Sequence, residues 1–219
     1  MITKFPRPQR PPVSLGSVLA LHTGETRLEH DESLAWVRWL FQSVRAQSAA
    51  LVFQSAAVDR PGLIADWLGF SDEIFLRILA PVLLRGWQNA QAGDDALLAA
   101  CDHELHKVLP VPLAGRSIAA GEILLEQTRG AKYQGALGRL RQRYEKGETP
   151  GHLAVVWSAI AALFQMPPLD LLTEYLREEW LVGARDSLHP SEPQGPLSFE
   201  ALAHRALHEA RMMDFRDAV

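Results

Sequence analysis

Two pairs of histidines in this chain carry the spacing of half a metal site. His204 and His208 sit four apart in the stretch FEALAHRALHEA, and two imidazoles one helical turn apart can share a divalent ion. Steps of about 100° per residue gather Phe199, Leu202, Ala203, Ala206 and Ala210 on the opposite face, which turns both rings toward solvent. Two ligands alone make a weak site, so exposed surface histidines are the plainer reading. In DHELH, His103 and His106 stand three apart beside Asp102 and Glu104. That is not the HExxH spacing of zinc proteases, and a polar helix face accounts for it. A helical enzyme with His and carboxylate ligands drawn from His103, His106, His204 or His208 is the alternative. Di-iron bundles, however, need Glu-x-x-His repeats on two helices, and the sequence has no such pair. No catalytic residue, cofactor or resident metal is therefore assigned.

Other reactive groups point the same way. Cys101 adjoins Asp102 and His103, yet helix neighbours diverge by about 100° and cannot pair as nucleophile and base. A buried small side chain is the expected role. Glu178 and Glu179 are adjacent and for the same reason do not form a catalytic pair. No GxxxxGK[ST] loop is present, so nucleotide binding has no support. Six basic residues, Arg129, Lys132, Arg139, Arg141, Arg143 and Lys146, fall close together against one acid, Glu145. Such a cluster can steer an acidic partner, Arg139, Arg141 and Arg143 being the candidates, although a solvated helix face is the simpler expectation. Few aromatic residues interleave with it to stack bases, which disfavours nucleic acid. The six tryptophans are read as packing residues, with one or two available to anchor a partner.

The elements that must position these residues are helices. Asp31 or Ser33 can cap a helix carrying Leu34, Val37, Leu40, Phe41, Val44, Leu51 and Val52 at spacings of three and four. Asp59-Arg60-Pro61-Gly62 ends it and starts a short helix through Leu68. Ser71 is expected to cap the next, kinked at Pro81. Asp94 caps DALLAACDHELHKVL, which stops at Pro110. A helix follows Ser117 to about Gly130, then a basic one to Lys146. Thr149-Pro150 is a start signal for an amphipathic helix holding Trp157. Met166-Pro167-Pro168 turns the chain into a second, running to about Leu188. Ser198 caps the last. No window alternates apolar and polar residues as a strand would, so the expected fold is all-α, a single globular bundle of about eight to ten helices. Its expected divisions are an extended Pro- and Arg-rich arm over 1–12, a helical domain over 13–189, a linker over 190–197 and a C-terminal helix and tail over 198–219.

Composition sets the frame. Of 219 residues 47% are hydrophobic, ample for a buried core, and the net charge of -4 gives no global reason to bind nucleic acid or an anionic membrane. The single cysteine cannot close an intramolecular disulfide, which suits a reducing cytoplasm. Lys4, Arg7 and Arg10 precede the apolar run Val13 to Leu21 in the manner of an export leader. Ser14, Gly16 and Ser17 interrupt that run and prolines stiffen the basic segment, so a cytoplasmic protein without membrane spans is expected.

The order of landmarks over roughly residues 74–210 resembles the F-type urease accessory proteins. Ala92-Gly93-Asp94-Asp95 opens a Leu- and Ala-rich helix. A His-led apolar helix follows, with His152 and the run Ala159 to Leu163, then a short turn, the Tyr175-Leu176 pair, and an Ala-rich extension with Ala184 and Leu188. The family's Pro-Val-Gly-Gly-Phe-like N-terminal loop is absent, with SLGSVLALHTGETRLEH in its place. Arg116-Ser-Ile-Ala-Ala-Gly-Glu122 replaces an Arg-Glu-led segment with a Gln-Met-Gly step. The resemblance implies a non-catalytic chaperone that pairs with the D/H-type accessory protein, recruits the G-type GTPase and assists nickel insertion into apo-urease. It also implies a homodimer. Tyr175, Phe199 and Leu202 join the three arginines as expected partner contacts, and the Ala-rich helix from Phe199 to Met213 is expected to be loosely held in the isolated chain. A helical chaperone for another metalloenzyme, such as a molybdenum reductase, shares the same bundle.

Overall fold

The run Leu153–Leu163 contains a single polar side chain, Ser158, so a helix built from it has no face fit for water. In the computed structural model, which describes residues 30–129, 135–185, 187 and 191–217, that helix is the centre of the protein. In chain order the helices are α1 (His30–Gln47), α2 (Arg60–Phe70), a π-helical segment (Ser71–Leu79), α3 (Ala80–Ala92), α4 (Asp95–Val108) and α5 (Val111–Gln127). They continue with α6 (Gly135–Glu145), α7 (Leu153–Leu163), α8 (Pro168–Gly183), a 3-10 turn (Gly195–Leu197) and α9 (Phe199–Asp217). No strand occurs among the described residues, and the fold is all-α.

Helix α7 packs against α3, α5, α6 and α8, and every residue from Leu153 to Ala162 is buried. It is apolar on all sides rather than amphipathic, as the sequence had suggested, because other helices wrap it fully. Its one hydroxyl is spent internally: Ser158 Oγ donates toward Leu83 O at 2.9 Å and Ala154 O at 2.8 Å. Gly86 of α3 faces Ser158, where an added Cβ would lie 3.0 Å from the Ser158 Cβ. That close approach is what lets α3 run along α7.

Several helix limits differ from the sequence expectation for identifiable reasons. Helix α1 stops at Gln47, and Leu51, Val52 and Phe53 are buried from the following loop. Phe53 sits in an aromatic cluster, with ring centroids 4.9 Å from Trp67, 5.2 Å from Phe70 and 6.1 Å from Trp180. Asp59 caps α2 as its side chain accepts from Gly62 N at 2.9 Å. Ser71 caps no separate helix; it continues the rod in helical conformation into the π-helical segment, and its hydroxyl donates to Trp67 O. Ahead of Pro81 the backbone widens into nine π-helical residues, the Ala80 N–H reaching back to Phe75 O. A proline ring crowds the carbonyl four residues earlier and offers no N–H, and the wider turn accommodates both effects. Helix α5 begins at Val111, with Pro112 in its first turn where a missing donor is harmless. Asp94 caps α4 through Leu97 N at 2.9 Å, as the sequence indicated.

The PSEPQGP segment, from Ser191 onward, lies along α2. Arg60 donates to Ser191 O at 3.1 Å, and the Trp67 indole N–H donates to Leu197 O at 3.1 Å. Helix α9 then docks on α8, with Phe199, Leu202, Ala203 and Ala206 buried and the Phe199 ring 5.9 Å from Trp67. Its first turns thus hold more apolar area than an alanine stripe supplies, because Phe199 enters the aromatic cluster. Two other indoles also cross-link elements through backbone carbonyls, Trp87 to Met166 and Trp157 to Leu171, each at 3.0 Å. The arm over 1–12, the segment 13–29, Gly130, Lys132, Leu188 and Pro190 lie outside the described residues.

Candidate functional site

The loop Thr149–His152 leads into the central helix α7, and polar residues of α4 converge on it. A helix N-terminus leaves backbone donors without partners, and here they face the protein interior. Asp102 of α4, fully buried, supplies the acceptor. Its carboxylate takes the Thr149 hydroxyl at 2.6 Å, Gly151 N at 2.6 Å and His152 N at 2.9 Å. A carboxylate at the start of a helix also meets the positive end of the helix dipole. Gly151 adopts φ of 80°, and an added Cβ there would come within 2.7 Å of the Tyr144 ring. On the other side Gly121 of α5 presses against the same loop, where an added Cβ would lie 2.0 Å from Gly151 O. Three helices therefore grip one loop.

The two histidines of DHELH take separate places here. His103 Nε2 is 2.9 Å from Glu148 O, while His106 Nδ1 is 3.2 Å from His152 Nε2. His152 is fully buried, His106 is exposed, and the His152 Nδ1 has no hydrogen-bond partner among the described residues. Burial holds the His152 imidazole below its usual pKa, partly offset by Asp102 and reinforced by His106. The polar helix face expected for DHELH is thus only part of its role, because Asp102 points inward. Cys101 is buried as expected, accepts from Asn89 Nδ2 at 3.4 Å, and burial pushes its thiol pKa up.

The adjacent acids of α8 diverge, as neighbours on a helix must. Arg38 grips Glu174 through two N–H···O contacts at 2.9 and 2.6 Å, and Arg45 grips Glu178 in the same two-pronged way. These forks tie α1 to α8. Glu179 lies deeper, fully buried, with one oxygen accepting Phe53 N at 2.7 Å. Burial pushes its carboxyl up to about 7, against the pull of Phe53 N, Tyr175 and Arg116. Ionised Glu179 is disfavoured in the fold, so stability should be highest below its ordinary value of 4.5, fall as pH rises from there to about 7, and level off above. Glu179→Gln keeps an acceptor for Phe53 N and should flatten that fall by at most about 3 kcal/mol, measured by urea unfolding across the window. An unchanged slope would show that Glu179 does not titrate there.

The residues expected to meet partners are distributed unevenly. Tyr175, Leu202 and Phe199 are buried in the chain's own core. Arg141 is buried too, with one guanidinium N–H donating to Thr128 O at 3.3 Å. Arg139 and Arg143 stay partly exposed but share Asp95, each through Nε at 3.0 Å. Arg129 pairs with Glu126 and Glu145. The basic run is thus substantially neutralised within the chain, and the acids that do so come from α4 and α5 as well as its own helix. His204 and His208 lie on the exposed face of α9, His204 near Glu200 at 3.8 Å. The sequence reading missed a different surface. Leu97, Val108 and Val111, at 53%, 57% and 85% exposure, follow one side of α4 into its turn to α5. About three turns separate Leu97 from Val108, which returns them to the same face.

No helix among the described residues is long and apolar enough to cross a membrane. Neither a curated protein nor a solved structure matches the chain. The sequence model of the UreF family matches residues 58–180, which run from just before α2 through most of α8 and contain the gripped loop.

Proposed function

Because the chain belongs to the UreF family of urease accessory proteins, we propose that it works in the cytoplasm as a non-catalytic chaperone. It docks the D/H-type accessory protein, recruits the G-type GTPase, and assists nickel insertion into apo-urease, acting as a homodimer within that assembly. The family match carries this reading. The geometry is compatible with it: Asp102, Glu174 and Glu178 are engaged with helix ends and arginines, which is the work of holding a shape. For contact surfaces we favour the exposed apolar side chains Leu97, Val108 and Val111 and, separately, the partly exposed Arg139 and Arg143, since exposed apolar groups and charge both serve partner interfaces. Tyr175, Phe199, Leu202 and Arg141 are buried and contribute by shaping the fold.

Expression in cells that carry urease but lack their own F-type protein tests the role. Urease activity restored by this chain in nickel-supplemented medium is the expected result. Absence of activity, with the chain soluble and the partner proteins from its own source present, would count against it.

A further inference from the structure

The connection between α1 and α2 is clasped to α8 around one buried carboxyl. Ser55 N donates to Gly183 O at 3.1 Å and Phe53 N to Glu179 Oε2 at 2.7 Å, while a Cβ added at Gly183 would lie 2.5 Å from Phe53 O. From α5, Arg116 donates through Nη2 to Val52 O at 3.2 Å and through Nη1 to Gln54 Oε1. Three buried polar atoms here are left over: Glu179 Oε1, the Tyr175 hydroxyl and Arg116 Nε have no hydrogen-bond partner among the described residues. They belong to one cluster, because the Tyr175 hydroxyl and the Arg116 guanidinium both act on the Glu179 carboxyl. Burial pushes the Tyr175 hydroxyl well above its ordinary value, so it keeps its proton and serves as a donor. Charged groups of the neighbouring helices are engaged elsewhere, Asp66 of α2 accepting from Ser55 Oγ and Arg45 of α1 gripping Glu178.

A neutral Glu179 tolerates this arrangement, but a carboxylate does not. A buried charge with an unpaired oxygen is costly, and the unpaired donors of the cluster are the means of relieving it. Arg116 cannot serve both sides fully: turning its Nε–H onto Glu179 Oε1 draws the terminal N–H groups off Gln54 and Val52. Gln54 is exposed, so water takes over its carboxamide at little cost. We infer that Glu179 and Arg116 form a proton-operated latch, in which Arg116 ties down the loop at Val52 and Gln54 while Glu179 is protonated, and moves with the Tyr175 hydroxyl to the carboxylate when Glu179 ionises. One proton passes from Glu179 to solvent in the step. Phe53 N stays on the carboxyl in both states, which confines the release to Val52 and Gln54. Burial pushes the Glu179 carboxyl up to about 7, which sets the step near neutral pH. The released form is the less stable one, in keeping with the fall in stability over the same range. The inference does not depend on the maturation role and would stand without it.

Trp180 adjoins Glu179 and stacks with Phe53 at 6.1 Å, so the intrinsic fluorescence of the full chain, followed across neutral pH, reads the latch. The unsubstituted chain should show a step centred near pH 7 that Glu179→Gln abolishes. Arg116→Gln removes the cation that favours the ionised form and should raise the midpoint by about one pH unit. Gln54→Ala removes the loop partner that competes for Arg116 and should lower the midpoint by about half a pH unit. Gln54 is exposed and Arg116 only partly buried, so both variants should keep the native circular dichroism. A midpoint unmoved by Arg116→Gln, or unmoved by Gln54→Ala, would overturn the latch. A step that survives Glu179→Gln, or the absence of any step in the unsubstituted chain, would overturn it as well.

Discussion

Asp102→Ala should destabilise the protein by about 4 kcal/mol, among the largest losses available from a single side chain. The carboxylate satisfies the Thr149 hydroxyl and two backbone N–H groups in a site without solvent. Removing it strands those donors, and each buried polar group left unpaired costs roughly 1–3 kcal/mol. Asp102→Asn retains the shape but turns an N–H₂ toward at least one donor, so it should recover only part of the loss. Urea unfolding of the three proteins gives the comparison. A loss under about 1 kcal/mol for Asp102→Ala would mean that the loop finds other acceptors and that Asp102 does not govern the entry to α7.

Gly121→Ala should cost well over 3 kcal/mol, beyond the usual range for an overfilled core. The new Cβ would meet Gly151 O at 2.0 Å and Leu153 N at 3.0 Å, both backbone atoms that no rotamer change can move. Either α5 separates from α7 or the loop leaves Asp102. Gly115 lies on the same helix with nothing within 4 Å of an added Cβ, so Gly115→Ala should be neutral or stabilising by up to about 1 kcal/mol. Melting temperatures of the pair separate close packing from helix propensity. Equal behaviour of the two variants would refute the close approach at Gly121.

Helices were legible in this sequence wherever one face was apolar and an end carried a cap, as with Asp94 and Asp59. The order of elements followed from those signals together with the prolines. Long-range commitments were not legible. Nothing in DHELH says that its aspartate turns inward while its last histidine meets His152, because a partner far along the chain decides it. The extension of α1 through Val52 failed for a related reason: a loop and a helix can both bury Leu51 and Val52, and the aromatic cluster around Phe53 selects the loop. The arginine cluster looked like surface charge, since local counting cannot see that Asp95 of α4 neutralises two of its members. Tyr175 and Leu202 were read as contacts from their order in the chain, which carries no information on depth.

The family assignment makes a claim about assembly, and assembly can be weighed directly. The purified chain should be mixed with the D/H-type accessory protein and the G-type GTPase of the same source, and the mass measured by light scattering after size exclusion. A co-eluting complex whose mass accounts for all three proteins, with two copies of this chain, is the predicted result. Elution of this chain alone at concentrations well above micromolar, with each partner folded, would contradict the chaperone reading.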